Sequence, residues 1–208
     1  MSVHLHNSQN NVSQNETRWI LTASQTVGPF FSPALLREDA RRNVLTRPET
    51  IGERIRIEGR VLDGDGIPVP DAMVEIWQAN AYGRYNHPTD QGPAALDPSF
   101  PGYGRSGTAE DGSYWFETIK PGPAPFDGER LQAPHICVTV FSRGLLNHLV
   151  TRLYFEDEPT SAADPVLQCV PDDRQATLLA RREPGEETAV YRFDIILQGA
   201  DETAFFNI

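Results

Sequence analysis

Tyr85, His87, His135 and Cys137 are the residues of this chain whose types and spacing could bind a metal or move a proton. His135 and Cys137 stand two apart in an alternating apolar run. If that run is a strand, both side chains leave the same face, a workable geometry for two metal ligands. Tyr85 and His87 are also two apart, in a segment rich in Gly and Pro. Each has an ordinary structural use as well: a strand histidine hydrogen-bonded in a core, a cysteine as a small buried hydrophobe. The residues alone leave a metal site and a plain core both open. Asp63-Gly64-Asp65-Gly66 lacks the lysine and following helix of a phosphate loop and the later Glu of a calcium loop, so it reads as a turn. No Gly-x-Ser-x-Gly is present, which leaves a hydrolase elbow unsupported. With Met1 removed, Ser2-Val3-His4 would place an imidazole third from a free amine, a geometry suited to square-planar Cu(II). An incidental tail histidine is the simpler reading.

These side chains need elements to hold them. Ile55, Ile57 and Val61 predict a strand that stops at the Asp63–Gly66 turn. Val74 and Ile76 alternate with Met73, Glu75 and Trp77. Tyr114, Trp115 and Phe116 open another strand, closed by Pro121-Gly122-Pro123. Further strands are expected at 135–141, 151–155 and 189–197, with a brief helix near 172–181. Ser32-Pro33 before Ala34, Leu35 and Leu36 reads as an N-cap, a proline at the first helical position and a short helix. Segment 83–112 has too much Gly and Pro for a regular element and is expected to be loop. Strands with turn signals about every ten residues predict an all-β fold, a β-sandwich core with long functional loops and a few short helices.

The 208 residues fit one domain, here 19–208 behind a flexible polar tail at 1–18. Lys+Arg 18 against Asp+Glu 29 gives a net charge of −11, which argues against nucleic acid and anionic membrane surfaces as partners. The tail has no apolar segment of the secretory type, and no run approaches the roughly 18 apolar residues of a membrane helix. Two cysteines cannot make a disulfide framework and suit a reducing, cytoplasmic setting.

Spaced motifs carry more. Ile57-x-Gly59-x-Val61, Gly66-x-x-Val69, Val74-Glu75-Ile76 and Gly83-x-Tyr85 follow one another. Glu75-Ile76-Trp77-Gln78-Ala79-Asn80, Asp97-Pro98-x-Phe100, Gly104-Arg105, Thr118-Ile119-Lys120-Pro121-Gly122 and Arg152-Leu153-Tyr154-Phe155 extend the pattern. Over residues 22–208 this resembles the intradiol ring-cleavage dioxygenases. The resemblance implies an enzyme that cleaves catechols between their two hydroxyls with O2, at a non-haem Fe(III) held by two tyrosinates and two histidines. Hard phenolate oxygens and imidazole suit ferric iron.

By that resemblance the first ligand falls on Tyr85 and the third on His135. The second tyrosine position, after Lys120-Pro121-Gly122-Pro123, holds Ala124, and the second histidine has become Cys137. A supporting arginine is Gln132 here, and a strand glutamine is Arg152. Two of four ligands are replaced and a cation has arrived, which implies a vestigial site without iron. Arg152 could take the ion's electrostatic role, with Tyr85 as its neutral hydrogen-bond partner. The pattern is similar to family members built from two related chains, one bearing the iron and the other closing its pocket, with many such pairs in a large assembly. Ser24–Pro29, Ala133-Pro134-His135-Ile136, Phe141-Ser142-Arg143-Gly144 and the ending Thr203–Ile208 resemble the iron-free type of chain. Thr26, Gly28, Pro29 and Arg143 are then expected to border the pocket of the homologous iron-bearing partner, facing a small anionic aromatic substrate. A self-sufficient dioxygenase with an altered Tyr85/His135/Cys137 site and a non-enzymatic β-sandwich binding module are the competing readings.

Overall fold

The computed structural model describes residues 25–28, 30–38, 42–185 and 188–207. The 1–18 tail with His4, and Pro29, lie outside the described residues. The backbone is mostly strand. β1 (Arg54–Leu62), β2 (Met73–Trp77), β3 (Tyr103–Gly107), β4 (Ser113–Ile119), β7 (His135–Phe141), β8 (Leu149–Phe155), β9 (Leu179–Arg182), β10 (Ala189–Arg192) and β11 (Ile195–Ile196) form one sheet, and β5 (Ala124–Pro125) and β6 (Leu131–Gln132) make a small separate ribbon. The period-2 patterning does this work. Ile55, Ile57 and Val61 of β1 and Ile136, Val138 and Val140 of β7 point into the apolar core while their neighbours leave the opposite face, where His135 is buried as well.

The sheet runs β11-β1-β10-β9-β8-β7-β2-β3, with β4 on the other side of β1. It folds over on itself, so that Ile55, Ile57, Phe116 and Tyr191 meet Val74, Ile76, Ile136, Val138 and Leu153 in one apolar core. Residues 42–45 fill the remaining seam: Arg42 pairs with Arg105 of β3, while Leu45 N–H donates to Glu117 of β4 and Asn43 accepts from it. The all-β core with long loops and few short helices is the architecture expected from the patterning.

Several local expectations need correction. Segment 83–112 is not all loop, because Tyr103–Gly107 pairs along the whole of β2. Gly104 fits there because a Cβ would lie 2.8 Å from Leu45 and 2.9 Å from Ile76 side-chain atoms. The helix α1 spans Phe31–Leu35 with Phe30 at its N-cap and no side-chain cap, so Ser32 is not the cap. The helical stretch near 172–181 is α2 (Asp172–Gln175) and one 3-10 turn to Leu178; Leu179 onward is strand, captured by pairing with β8 and β10. The strand expected over 189–197 is two strands, interrupted where the Asp194 carboxylate accepts from Arg60 N–H at 2.9 Å. No helix of the described residues is long and apolar enough to cross a membrane.

Candidate functional site

Antiparallel register builds one end of the site. Cys137 of β7 sits between Trp77 of β2 and Arg152 of β8, and His135 lies opposite Tyr154. Tyr85 reaches the same place from the long loop, stacked on Trp77 with ring centroids 5.8 Å apart. Its backbone is pinned by the Asp90 carboxylate, which accepts from Tyr85 N–H at 2.8 Å. Gly83 brings that loop in. Its φ is +81°, and a Cβ would lie 1.9 Å from the Pro123 carbonyl oxygen, so only glycine permits the approach. Across that contact follows Ala124, paired in register with Gln132.

The structure therefore gathers all six residues of the expected vestigial site. Tyr85 Oη lies 3.3 Å from His135 Nε2, and His135 Nδ1 lies 2.8 Å from the Ala133 carbonyl oxygen. A carbonyl only accepts, so Nδ1 carries the proton, Nε2 is the acceptor and Tyr85 O–H donates to it. Arg152 Nη1 donates to Gln132 Oε1 at 2.7 Å, and Gln132 in turn donates to the Pro125 carbonyl. This corrects the pairing expected from sequence: Tyr85 spends its proton on His135, and Arg152 finds its hydrogen bond in Gln132. His87 plays no part; it is exposed and bonds Thr89 within its own turn.

Burial decides the charges. It pushes the Tyr85 phenol well above its ordinary range and raises the Cys137 thiol, although Arg152 pulls the other way on both. Burial, then the positive field of Arg152, holds His135 down to about 4. At neutral pH the site is a phenol, a neutral imidazole, a thiol and one fixed guanidinium. The side chains themselves do not fit a ferric site of two tyrosinates and two imidazoles: Ala124 offers no donor, Cys137 puts a soft sulfur in place of an imidazole, and a permanent cation stands beside the rest.

The lowered His135 value makes stability depend on pH. Above pH 6.5 the imidazole is neutral folded and unfolded. Between 6.5 and 4 only the unfolded chain takes the proton, so stability falls as pH falls, by about 3 kcal/mol in full. Urea unfolding at pH 7 and pH 4.5 is expected to differ by less in His135→Gln than in the parent chain. An equal pH difference in the two chains would refute the assignment.

Sequence reasoning missed the anchor of this end of the site. Asp164, 1% exposed, accepts from Tyr154 O–H at 2.9 Å, Ala133 N–H at 2.7 Å, and Val166 and Leu167 N–H both at 2.9 Å. It thus fixes the residue whose carbonyl orients His135. Its one local signal was Asp164-Pro165 opening a turn.

The second expected cluster lies elsewhere. Arg143 is two residues past the far end of β7, a strand that rises about 20 Å from His135 to Phe141. Its Nε makes an ion pair with Asp71 Oδ2 at 2.8 Å, and it remains half exposed. Thr26 joins it, its Oγ1 accepting from Gly144 N–H at 3.0 Å. Gly28 continues that segment with φ +70°. Thr26 and Arg143 thus share an exposed surface of this chain, with Gly28 partly buried two residues on from Thr26, and this surface lies beyond the opposite end of β7 from His135.

A family model described as Dioxygenase matches residues 26–199. The chain belongs to the intradiol ring-cleavage dioxygenase family. It is 43% identical over 203 residues to the protocatechuate 3,4-dioxygenase alpha chain of Burkholderia cepacia, covering 90% of this chain and 97% of that one. It is also 37% identical over 209 residues to the beta chain from the same organism, covering 94% and 88%. Among solved structures, the dioxygenase domain of a carbohydrate-binding fusion from Streptomyces sp. SirexAA-E superposes with a TM-score of 0.58 at 26% identity, covering 86% of this chain and 99% of that one. 3-Chlorocatechol 1,2-dioxygenase from Rhodococcus opacus 1CP, at 21% identity and TM-score 0.60, covers 86% of this chain and 69% of its own and shares the fold.

Proposed function

We propose that this chain is the iron-free alpha chain of a protocatechuate 3,4-dioxygenase, which cleaves 3,4-dihydroxybenzoate with O2 to 3-carboxy-cis,cis-muconate. In this reading Fe(III) is bound by the homologous beta chain, and Thr26, Gly28, Pro29 and Arg143 of this chain help close the beta chain's pocket. Many such pairs form a cytoplasmic assembly, a setting consistent with the free thiols Cys137 and Cys169. The observation that carries the reading is the donor set. Beside Tyr85 and His135 the two other ligand positions hold Ala124, which has no donor atom, and Cys137, and the Arg152 guanidinium would repel a ferric ion. Likeness to both an alpha and a beta chain of one enzyme supports a paired role.

Arg143 suits the substrate because a guanidinium stays charged and can grip a carboxylate with two donors. The test is the reconstituted pair. Mixed with an iron-bearing beta homologue, this chain is expected to form a stable complex, with iron confined to the partner. Arg143→Ala is expected to lower kcat/KM about tenfold, the loss of one charged hydrogen bond, with iron content unchanged. Stoichiometric iron and a visible absorption band in this chain alone would overturn the proposal in favour of a self-sufficient dioxygenase. Unchanged kinetics of Arg143→Ala in an intact complex would remove Arg143 from the pocket.

A further inference from the structure

We infer that Asp71 is a positioning residue for Arg143, holding its guanidinium ready for the carboxylate of an aromatic acid bound in the partner's pocket; the inference rests on the proposed function. The strand register brings the two together. Met73 pairs with Phe141 across β2 and β7, so Asp71 and Arg143, each two residues beyond that pair, meet where the strands end. The ion pair is made at Nε, 2.8 Å from Asp71 Oδ2. A carboxylate on that side leaves the terminal amino groups of the guanidinium for a second anion. No hydrogen bond among the described residues uses them.

Three features point to orientation and not to stability. An ion pair this exposed, with 54% and 33% of its side chains accessible, contributes little to folding. Asp71 is also the one described non-glycine residue in left-handed conformation, φ +58°, in the turn before β2, and this backbone sets the direction in which its carboxylate leaves the chain. The backbone beneath Arg143 is held as well, since Thr26 Oγ1 accepts from Gly144 N–H at 3.0 Å. The arginine is thus fixed at its backbone by one loop and at its guanidinium by another. A long side chain restrained in advance loses less rotamer freedom when its anion arrives.

The experiment uses the complex with the iron-bearing partner and 3,4-dihydroxybenzoate. Asp71→Asn and Asp71→Gly both tolerate the left-handed backbone, so each removes the charge while thermal melting confirms the fold. Each is expected to raise KM about fivefold with kcat unchanged, because the carboxylate contact is equal in ground and transition states. In an Arg143→Ala background, Asp71→Asn is expected to add nothing. Normal kinetics in both Asp71 variants, with Arg143→Ala impaired, would overturn the role of Asp71 and leave the proposed function standing. An Asp71→Asn effect that persists without Arg143 would overturn it too. If Arg143→Ala itself is silent, the assignment of Arg143 to the pocket fails first and this inference with it.

Discussion

Replacing Asp164 with alanine is expected to cost about 4 kcal/mol or more of stability, because four donors lose a charged acceptor in a place water does not reach. Hydrogen bonds to ionised groups contribute about 1.5–3 kcal/mol each, and four that share one carboxylate do not simply add. Against a total stability of roughly 5–15 kcal/mol this is a large fraction. Asp164→Asn is a sharper variant still. It preserves shape but turns one acceptor oxygen into a donor facing donors, so it should lose nearly as much. Urea titration followed by circular dichroism measures both. A loss below about 1 kcal/mol would mean that the turn after Asp164 rearranges freely, contrary to its role as an anchor.

The other large expected effect is a gain. Ala124→Tyr, Cys137→His, Gln132→Arg and Arg152→Gln, made together, are expected to let the chain take up ferric iron with a visible tyrosinate charge-transfer band, where the parent chain stays colourless. The last two exchanges act as a unit. Arg152 and Gln132 are already hydrogen-bonded at 2.7 Å, so swapping the two residues keeps the bond while moving the positive charge out of the β8 position beside Cys137. The first two supply an oxygen and a nitrogen donor next to Tyr85 and His135. Ala124 is 1% exposed, so the new ring must use the volume released by Arg152. Ferric titration with absorbance reads the result, and melting shows whether the variant is folded. A folded variant without a band would mean that the cavity has been remodelled beyond the loss of ligands.

Much of this was legible in the sequence, for physical reasons that differ by element. β1, β2, β4 and β7 announce themselves because one face is buried and one is not, which writes alternation directly into residue type. β3, with the sequence Tyr-Gly-Arg-Ser-Gly, has two glycines and no β-branched residue. It is a strand because β2 offers it a partner and because Gly104 must make room for Leu45 and Ile76. β9 likewise owes its state to its partners, β8 on one side and β10 on the other. The six residues at the Tyr85–His135 site were found through spaced motifs, and the loops do bring them together. What the motifs could not give was the direction of the hydrogen bonds: Tyr85 turned to His135 and Arg152 to Gln132. Asp71 and Asp164 escaped notice because an aspartate in a loop looks the same whether it faces water or four buried donors.

The segment at 42–45 has a meaning beyond closing the sheet. It occupies the backbone donors and acceptors along β3 and β4 that would otherwise lie open, through Arg42 to Arg105 and through Asn43 and Leu45 to Glu117. Unsatisfied strand margins are templates for edge-on addition, and the hazard is greatest between chains of similar sequence. This chain is itself similar to both an alpha and a beta chain, at 43% and 37% identity. The contacts of 42–45 satisfy part of both margins from within the chain. In the proposed pairing with a beta-type chain, recognition would then rest on loops and side chains, where each sequence can evolve its own preference.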